Sequence, residues 1–99
     1  MVERFLAGDI GGTKTVLALY SPDLGPNQPL VERTYLSNQY ASLVEIVRDF
    51  LREEGGSVSG ASIGVAGPVI GGRSQVTNLR WVVDAECLSR ELGGAPVNL

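Results

Sequence analysis

The chain has no histidine, and it has only one cysteine, one lysine, one tryptophan and one methionine in 99 residues. Without histidine, no imidazole within these residues can act as acid, base, triad member or metal ligand. The lone cysteine, Cys87, cannot close an internal disulfide, which fits a reducing cytoplasm. It also lacks a His or second Cys to activate it or to share a metal. Its place in a short helical stretch predicts a buried small apolar group rather than a nucleophile. Positive charge is sparse: eight cations against eleven acids give a net charge of −3 and a pI of about 4.8. Those cations are scattered singly, so no basic stripe exists to meet nucleic acid or an anionic membrane. No apolar run approaches the ~18 residues that cross a bilayer, and Glu3 and Arg4 interrupt any apolar leader.

Enough apolar residue is present, 43%, for an ordinary folded domain. A chain of this length buries roughly 60–70% of its unfolded surface, so its core is feasible but thin. It makes one small domain or part of a larger one.

The stretch around which the rest is arranged is Gly8-Asp9-Ile10-Gly11-Gly12-Thr13. An apolar run enters it and the alternating run Thr15 to Tyr20 leaves it, which predicts strand, tight turn, strand. Paired glycines permit positive φ and close approach of a ligand to the backbone. Successive N–H groups in such a turn can converge on an anion such as phosphate. Asp9 cannot meet phosphate directly, since like charges repel, but it can hold Mg²⁺ that bridges to phosphate oxygens. Thr13 adds a hydroxyl and Lys14, the only lysine, a positive charge. An ordinary hairpin turn with an Asx-turn beside it explains the same residues, and both readings stand on this stretch alone. It is neither a P-loop nor a dinucleotide fingerprint.

Arg4 to Ile10 reads as a central strand covered on both faces. Lys14 to Tyr20 is a second strand, and Leu30 to Leu36 an alternating edge strand, completing an antiparallel meander. Leu43, Val44, Val47, Phe50 and Leu51 then recur at helical spacing, predicting an amphipathic helix over Ser42 to Glu54. Ser42 and Glu45 form a capping box and Gly55-Gly56 the stop. Arg48, Asp49, Arg52 and Glu53 read as its solvated face. Gly60 to Ala66 is a short buried strand, expected parallel to the first because a helix precedes it. Gly67-Pro68 follows at its carboxyl end, where ligands bind in open sheets of this kind. A small hairpin is expected around Gly71-Gly72, and Asp84 caps a second helix reaching about Leu92. Ala95 to Leu99 begins another extended segment, and the whole is expected to be a truncated domain.

Three spellings, collinear and correctly spaced, carry a resemblance: Gly8 to Thr13; Gly64-Val65-Ala66-Gly67-Pro68-Val69 with Gly71; and Thr77-Asn78-Leu79 with Trp81 before a helix. Together they resemble the sugar kinases of the actin-like ATPase superfamily, and the bacterial glucokinases in particular. The resemblance implies an α/β, ribonuclease-H-like half-domain with a β-β-β-α-β-α-β mixed sheet. It identifies residues 1–99 as the amino-terminal part of a two-domain enzyme. That enzyme would transfer the γ-phosphoryl group of ATP to the 6-hydroxyl of glucose.

By the same resemblance, Gly8, Asp9, Ile10, Gly11, Gly12 and Thr13 line the ATP phosphates, with Asp9 orienting Mg²⁺. Asn78 takes a substrate-side role; as a residue it is equally a turn former bonding its own backbone. Trp81 reads as core, and Gly67 with Pro68 as crevice floor. In the family, the segment matching Ala95 to Leu99 continues into an Asn-Asp pair whose Asp is the general base. No catalytic residue is therefore expected within these 99 residues, and the chain alone is expected to be inactive. Rival readings are a kinase for another hexose or N-acetylhexosamine, and a non-catalytic sugar-binding or assembly module. A sugar-responsive repressor would need a helix-turn-helix ahead of the first strand, which starts at about residue 4. Apolar surface left open by a missing half favours self-association.

Overall fold

A computed structural model describes residues 3–99; Met1 and Val2, the first residues of the leader reading, lie outside them. The chain forms β1 (Phe5–Ile10), β2 (Lys14–Tyr20), β3 (Val31–Leu36), a 3₁₀ turn (Ser37–Gln39) and α1 (Leu43–Glu54). It continues as β4 (Gly60–Val65), β5 (Val69–Ile70), β6 (Arg73–Gln75), β7 (Val82–Asp84), α2 (Ala85–Glu91) and β8 (Val97–Asn98). Five strands make one mixed sheet in the order β3-β2-β1-β4-β8. β2 is antiparallel to both β1 and β3, whereas β4 runs parallel to β1 and β8 parallel to β4. The helices act as the crossovers that parallel neighbours require.

Local chemistry accounts for the helices. Ser42 Oγ accepts from the Glu45 N–H at 3.4 Å, and Glu45 reaches back to the Ala41 N–H at 3.2 Å. Gly55, at φ 72°, ends α1 by donating its N–H to the Leu51 carbonyl. Leu43, Ile46, Val47 and Phe50 then pack with Leu6, Ile10, Leu17, Leu19 and Ile63 of the sheet in one core. Arg48 bonds Glu91 of α2 at 2.6 and 3.1 Å, so both helices lie side by side on one face. Arg33 of β3 reaches Glu53 and Glu54. The charged face of α1 thus does more than meet solvent.

Three expectations need correction. β1 is covered on one face only: Leu6 and Ile10 are 1% exposed, but Phe5 is 37% exposed and Asp9 is exposed. Strand alternation sends those two to the side that neither helix covers. Cys87 is exposed, because the inward stripe of α2 is set by Leu88 and Leu92, four residues apart, and Cys87 lies about a quarter-turn off it. Third, a second sheet, β5-β6-β7, stands between β4 and α2. Its first turn is the expected hairpin, with Gly71 and Gly72 at φ 59° and 73°. β7 went unforeseen, because three residues are too few for alternation to register.

Candidate functional site: the glycine turn and its neighbours

β1 and β2 are joined through Gly11, Gly12 and Thr13, with the Gly11 N–H donating to the Lys14 carbonyl at 2.9 Å. Neither Gly11 nor Gly12 takes positive φ, so left-handed backbone is not what requires glycine here. Close approach is. A β-carbon on Gly12 would lie 2.6 Å from the Thr77 carbonyl oxygen and 3.2 Å from Asn78 Cβ. One on Gly8 would lie 2.9 Å from Ile63 Cδ1 on the core side.

Two further hydrogen bonds bind the segments together. The Ala66 N–H donates to the Ile10 carbonyl and the Thr77 N–H to the Ala66 carbonyl, each at 2.9 Å. The three stretches singled out in the sequence therefore converge at the carboxyl ends of the parallel strands β1 and β4. Among the described residues, the N–H groups of Gly12 and Thr13 have no acceptor. Two adjacent unpaired backbone donors on an exposed turn are suited to an anion.

The sequence-derived site residues separate into two groups. Gly8 and Ile10 face the core, Ile10 being 1% exposed; strand alternation makes them the frame of the turn and not its lining. Asp9, Thr13 and Lys14 are exposed, and Gly11 and Gly12 partly so. Asp9 has no side-chain partner among the described residues, where no group of three His, Cys, Asp or Glu could hold a metal. One free carboxylate nonetheless fits Mg²⁺, which keeps most of its waters and takes its other oxygens from phosphate.

Asn78 is exposed and, at φ 68°, is the one non-glycine residue with positive φ among those described. Its side chain makes no hydrogen bond there, so the Asx-turn reading finds no support and the amide is available to a ligand. Trp81 is 4% exposed and donates its Nε1–H to the Tyr40 carbonyl at 3.1 Å, as a core residue does. Gly67 presses on the Gln75 carbonyl, where a β-carbon would come within 2.4 Å.

Residues outside the motifs hold this arrangement. Gln75 Nε2 donates to the carbonyls of Leu79 (3.0 Å) and Trp81 (2.9 Å), closing the loop that presents Asn78. Ser37, fully buried, donates its N–H to the Thr13 carbonyl and meets Gly11 and Thr15 through its hydroxyl. Single polar residues of this kind carry no pattern that a sequence reading could catch.

A concavity of about 970 Å³ lies elsewhere, at the amino-terminal end of β1, with Phe5, Tyr20, Pro22, Pro26 and Val97 among its walls. Its apolar lining suits packing, not phosphate.

Comparison with known proteins bears on the family and the fold. The family model for glucokinase matches residues 6–99. The chain is 42% identical to the glucokinase of Synechocystis sp. over 107 residues, covering 97% of this chain and 30% of that protein. It thus spans less than a third of the length of that relative. Among solved structures, glucokinase from an Antarctic psychrotroph has a TM-score of 0.83 at 24% identity, over 99% of this chain and 32% of that one. A ROK family glucokinase from Streptomyces griseus, solved with glucose and AMPPNP, has a TM-score of 0.71 at 20% identity, over 97% and 32%. Those likenesses show a shared α/β fold. With the family match running from the second residue of β1 to Leu99, this chain belongs to the glucokinase family.

Proposed function

We propose that this chain is the amino-terminal domain of an ATP-dependent glucokinase, and that the turn at Gly11 to Thr13 holds the nucleotide phosphates. The observation that carries this reading is the pair of unpaired N–H groups on Gly12 and Thr13, seated against the loop that presents Asn78. Phosphoryl transfer depends mainly on positioning and on stabilising charge. Gly12 and Thr13 donate to phosphate oxygens, and the Lys14 ammonium adds positive charge at the rim. Asp9 orients Mg²⁺ through its water shell, and the ion, when bound, neutralises charge on the phosphates. Asn78, fixed by Gln75 and by contact with Gly12, faces the sugar.

Support for the sugar comes from the family match and from the glucose complex of the Streptomyces griseus enzyme. The direction of β8 adds to it. Val97 pairs with Ala61 and Asn98 with Ser62, parallel to β1 through β4. Residues following Leu99 would run toward the end of the sheet where Gly12 and Asn78 lie, which suits the family's general base. Such an enzyme works in the cytoplasm and supplies glycolysis with a phosphorylated hexose. The open apolar face beside Phe5 favours association of the 99-residue chain with itself.

The test is a coupled assay of ADP release across a panel of hexoses and N-acetylhexosamines, run on the full-length protein and on residues 1–99. Glucose-dependent turnover by the former and none by the latter is expected. Activity of the short chain above a buffer blank, or preference of the full protein for another sugar, would overturn the corresponding part.

A further inference from the structure

We propose that Ser37 and Thr15 are positioning residues that aim the backbone donors of the glycine turn at the nucleotide; this rests on the phosphate role given to that turn. Neither belongs to the motifs by which the turn is recognised, and both are 0% exposed. Ser37 lies just beyond β3, on the far side of β2 from β1.

Proton accounting orders the network. Ser37 Oγ lies 2.9 Å from both the Gly11 carbonyl oxygen and Thr15 Oγ1. A carbonyl only accepts, so the single hydroxyl proton of Ser37 goes to Gly11. Thr15 must then donate to Ser37 Oγ. The chain runs one way, from Thr15 through Ser37 to Gly11, and each donor in it strengthens the next. The Ser37 N–H adds a bond to the Thr13 carbonyl at 2.9 Å. Two carbonyls of the turn are thereby drawn toward one buried serine.

Peptide geometry carries this to the exposed side. The Gly11 carbonyl and the Gly12 N–H share one planar, trans peptide unit, so they point in opposite directions. Holding the carbonyl inward on Ser37 turns the Gly12 N–H outward, where it finds no acceptor among the described residues. A glycine peptide without this anchor rotates easily. Ser37 removes that freedom before a ligand arrives.

The experiment uses the full-length protein with Ser37→Ala, Thr15→Val and Thr15→Ser, measuring KM for ATP and glucose, kcat, AMPPNP binding by calorimetry and the unfolding midpoint. Ser37→Ala is expected to weaken AMPPNP binding and raise the ATP KM by about 10-fold, the order of a lost hydrogen bond to a charged partner. The glucose KM should stay within about 2-fold. Thr15→Val, which keeps the shape and loses the hydroxyl, should show a smaller loss of the same kind, and Thr15→Ser should restore nucleotide binding. Unchanged ATP parameters in Ser37→Ala and Thr15→Val overturn the proposal. So does a Thr15→Ser variant worse than Thr15→Val, which would make the methyl group and its packing the relevant feature. Wild type that neither binds AMPPNP nor phosphorylates a hexose sinks the nucleotide reading itself, and the role of Ser37 with it.

Discussion

Gly12 lies so close to Thr77 that no side chain fits between them: a β-carbon would stand 2.6 Å from the Thr77 carbonyl oxygen. This contact joins the glycine turn to the loop that carries Asn78, with Gly12 and Thr77 65 positions apart by residue number. A substituent at Gly12 must therefore push one of the two segments aside.

Gly12→Ala should therefore disturb both. Because the opposing atom is backbone, the turn or the loop must shift, at a cost on the order of 1–3 kcal/mol of stability. In the full-length protein, KM should rise for ATP and for glucose together. Steady-state kinetics on both substrates checks this, and a wild-type ATP KM would count against the contact.

Asp9→Ala should separate stability from turnover. Asp9 is exposed and makes no side-chain bond among the described residues, so the unfolding free energy should move by no more than about 0.5 kcal/mol. If Asp9 orients the metal, kcat should fall by on the order of 10²-fold or more while the glucose KM changes little. Turnover at the wild-type rate would remove Asp9 from that role.

Tyr35 carries a buried hydroxyl with no hydrogen-bond partner among the described residues. Burial, aided by Glu53, pushes its pKa up to about 12. A raised folded pKa means that the folded state keeps its proton longer than the unfolded chain. The associated stability is complete below the unfolded value of about 10 and is lost as pH climbs toward 12. Tyr35→Phe should be neutral at pH 7, or stabilising by up to about 1 kcal/mol, and should lack that alkaline loss. Urea titrations at neutral and alkaline pH measure both.

Asp84 behaves in the opposite sense. The Cys87 N–H, donating to Oδ1 at 3.0 Å, holds its carboxyl below the usual range, helped by the Glu86 N–H and by Arg73, whose Nε lies 3.1 Å from Oδ2. Its contribution is present above the unfolded pKa of about 3.9 and fades as pH falls through the lower folded value. Asp84→Asn keeps an oxygen for the cap and loses the charge. Thermal melts from about pH 6 to pH 2 should show a shallower acid decline in the variant than in wild type.

Much of the fold was legible because it is written at short range. Ser42, Glu45 and Gly55 mark the ends of α1, and its 3.6-residue apolar period marks its buried side. The parallel pairing of β4 with β1 followed from the intervening helix. The candidate site was legible in part. Its three segments were identifiable, but the reason for glycine at 12 was not: proximity to Thr77 governs it, not backbone handedness. Cys87 was misplaced because its small apolar character suggested burial, whereas its position about a quarter-turn from Leu88 decides its exposure.

Taken alone, the order of residues determined which segments become strand, helix and turn, since caps, periodicity and glycine pairs act between near neighbours. It determined as well that the glycine turn after β1, the Gly67 loop and the Asn78 loop would exist. Tertiary structure alone decided that these meet, that both helices share one face of the sheet, and that Ser37 reaches across β2 to anchor Gly11. Those outcomes depend on contacts between residues tens of positions apart, and packing geometry, which no local pattern encodes, selects them.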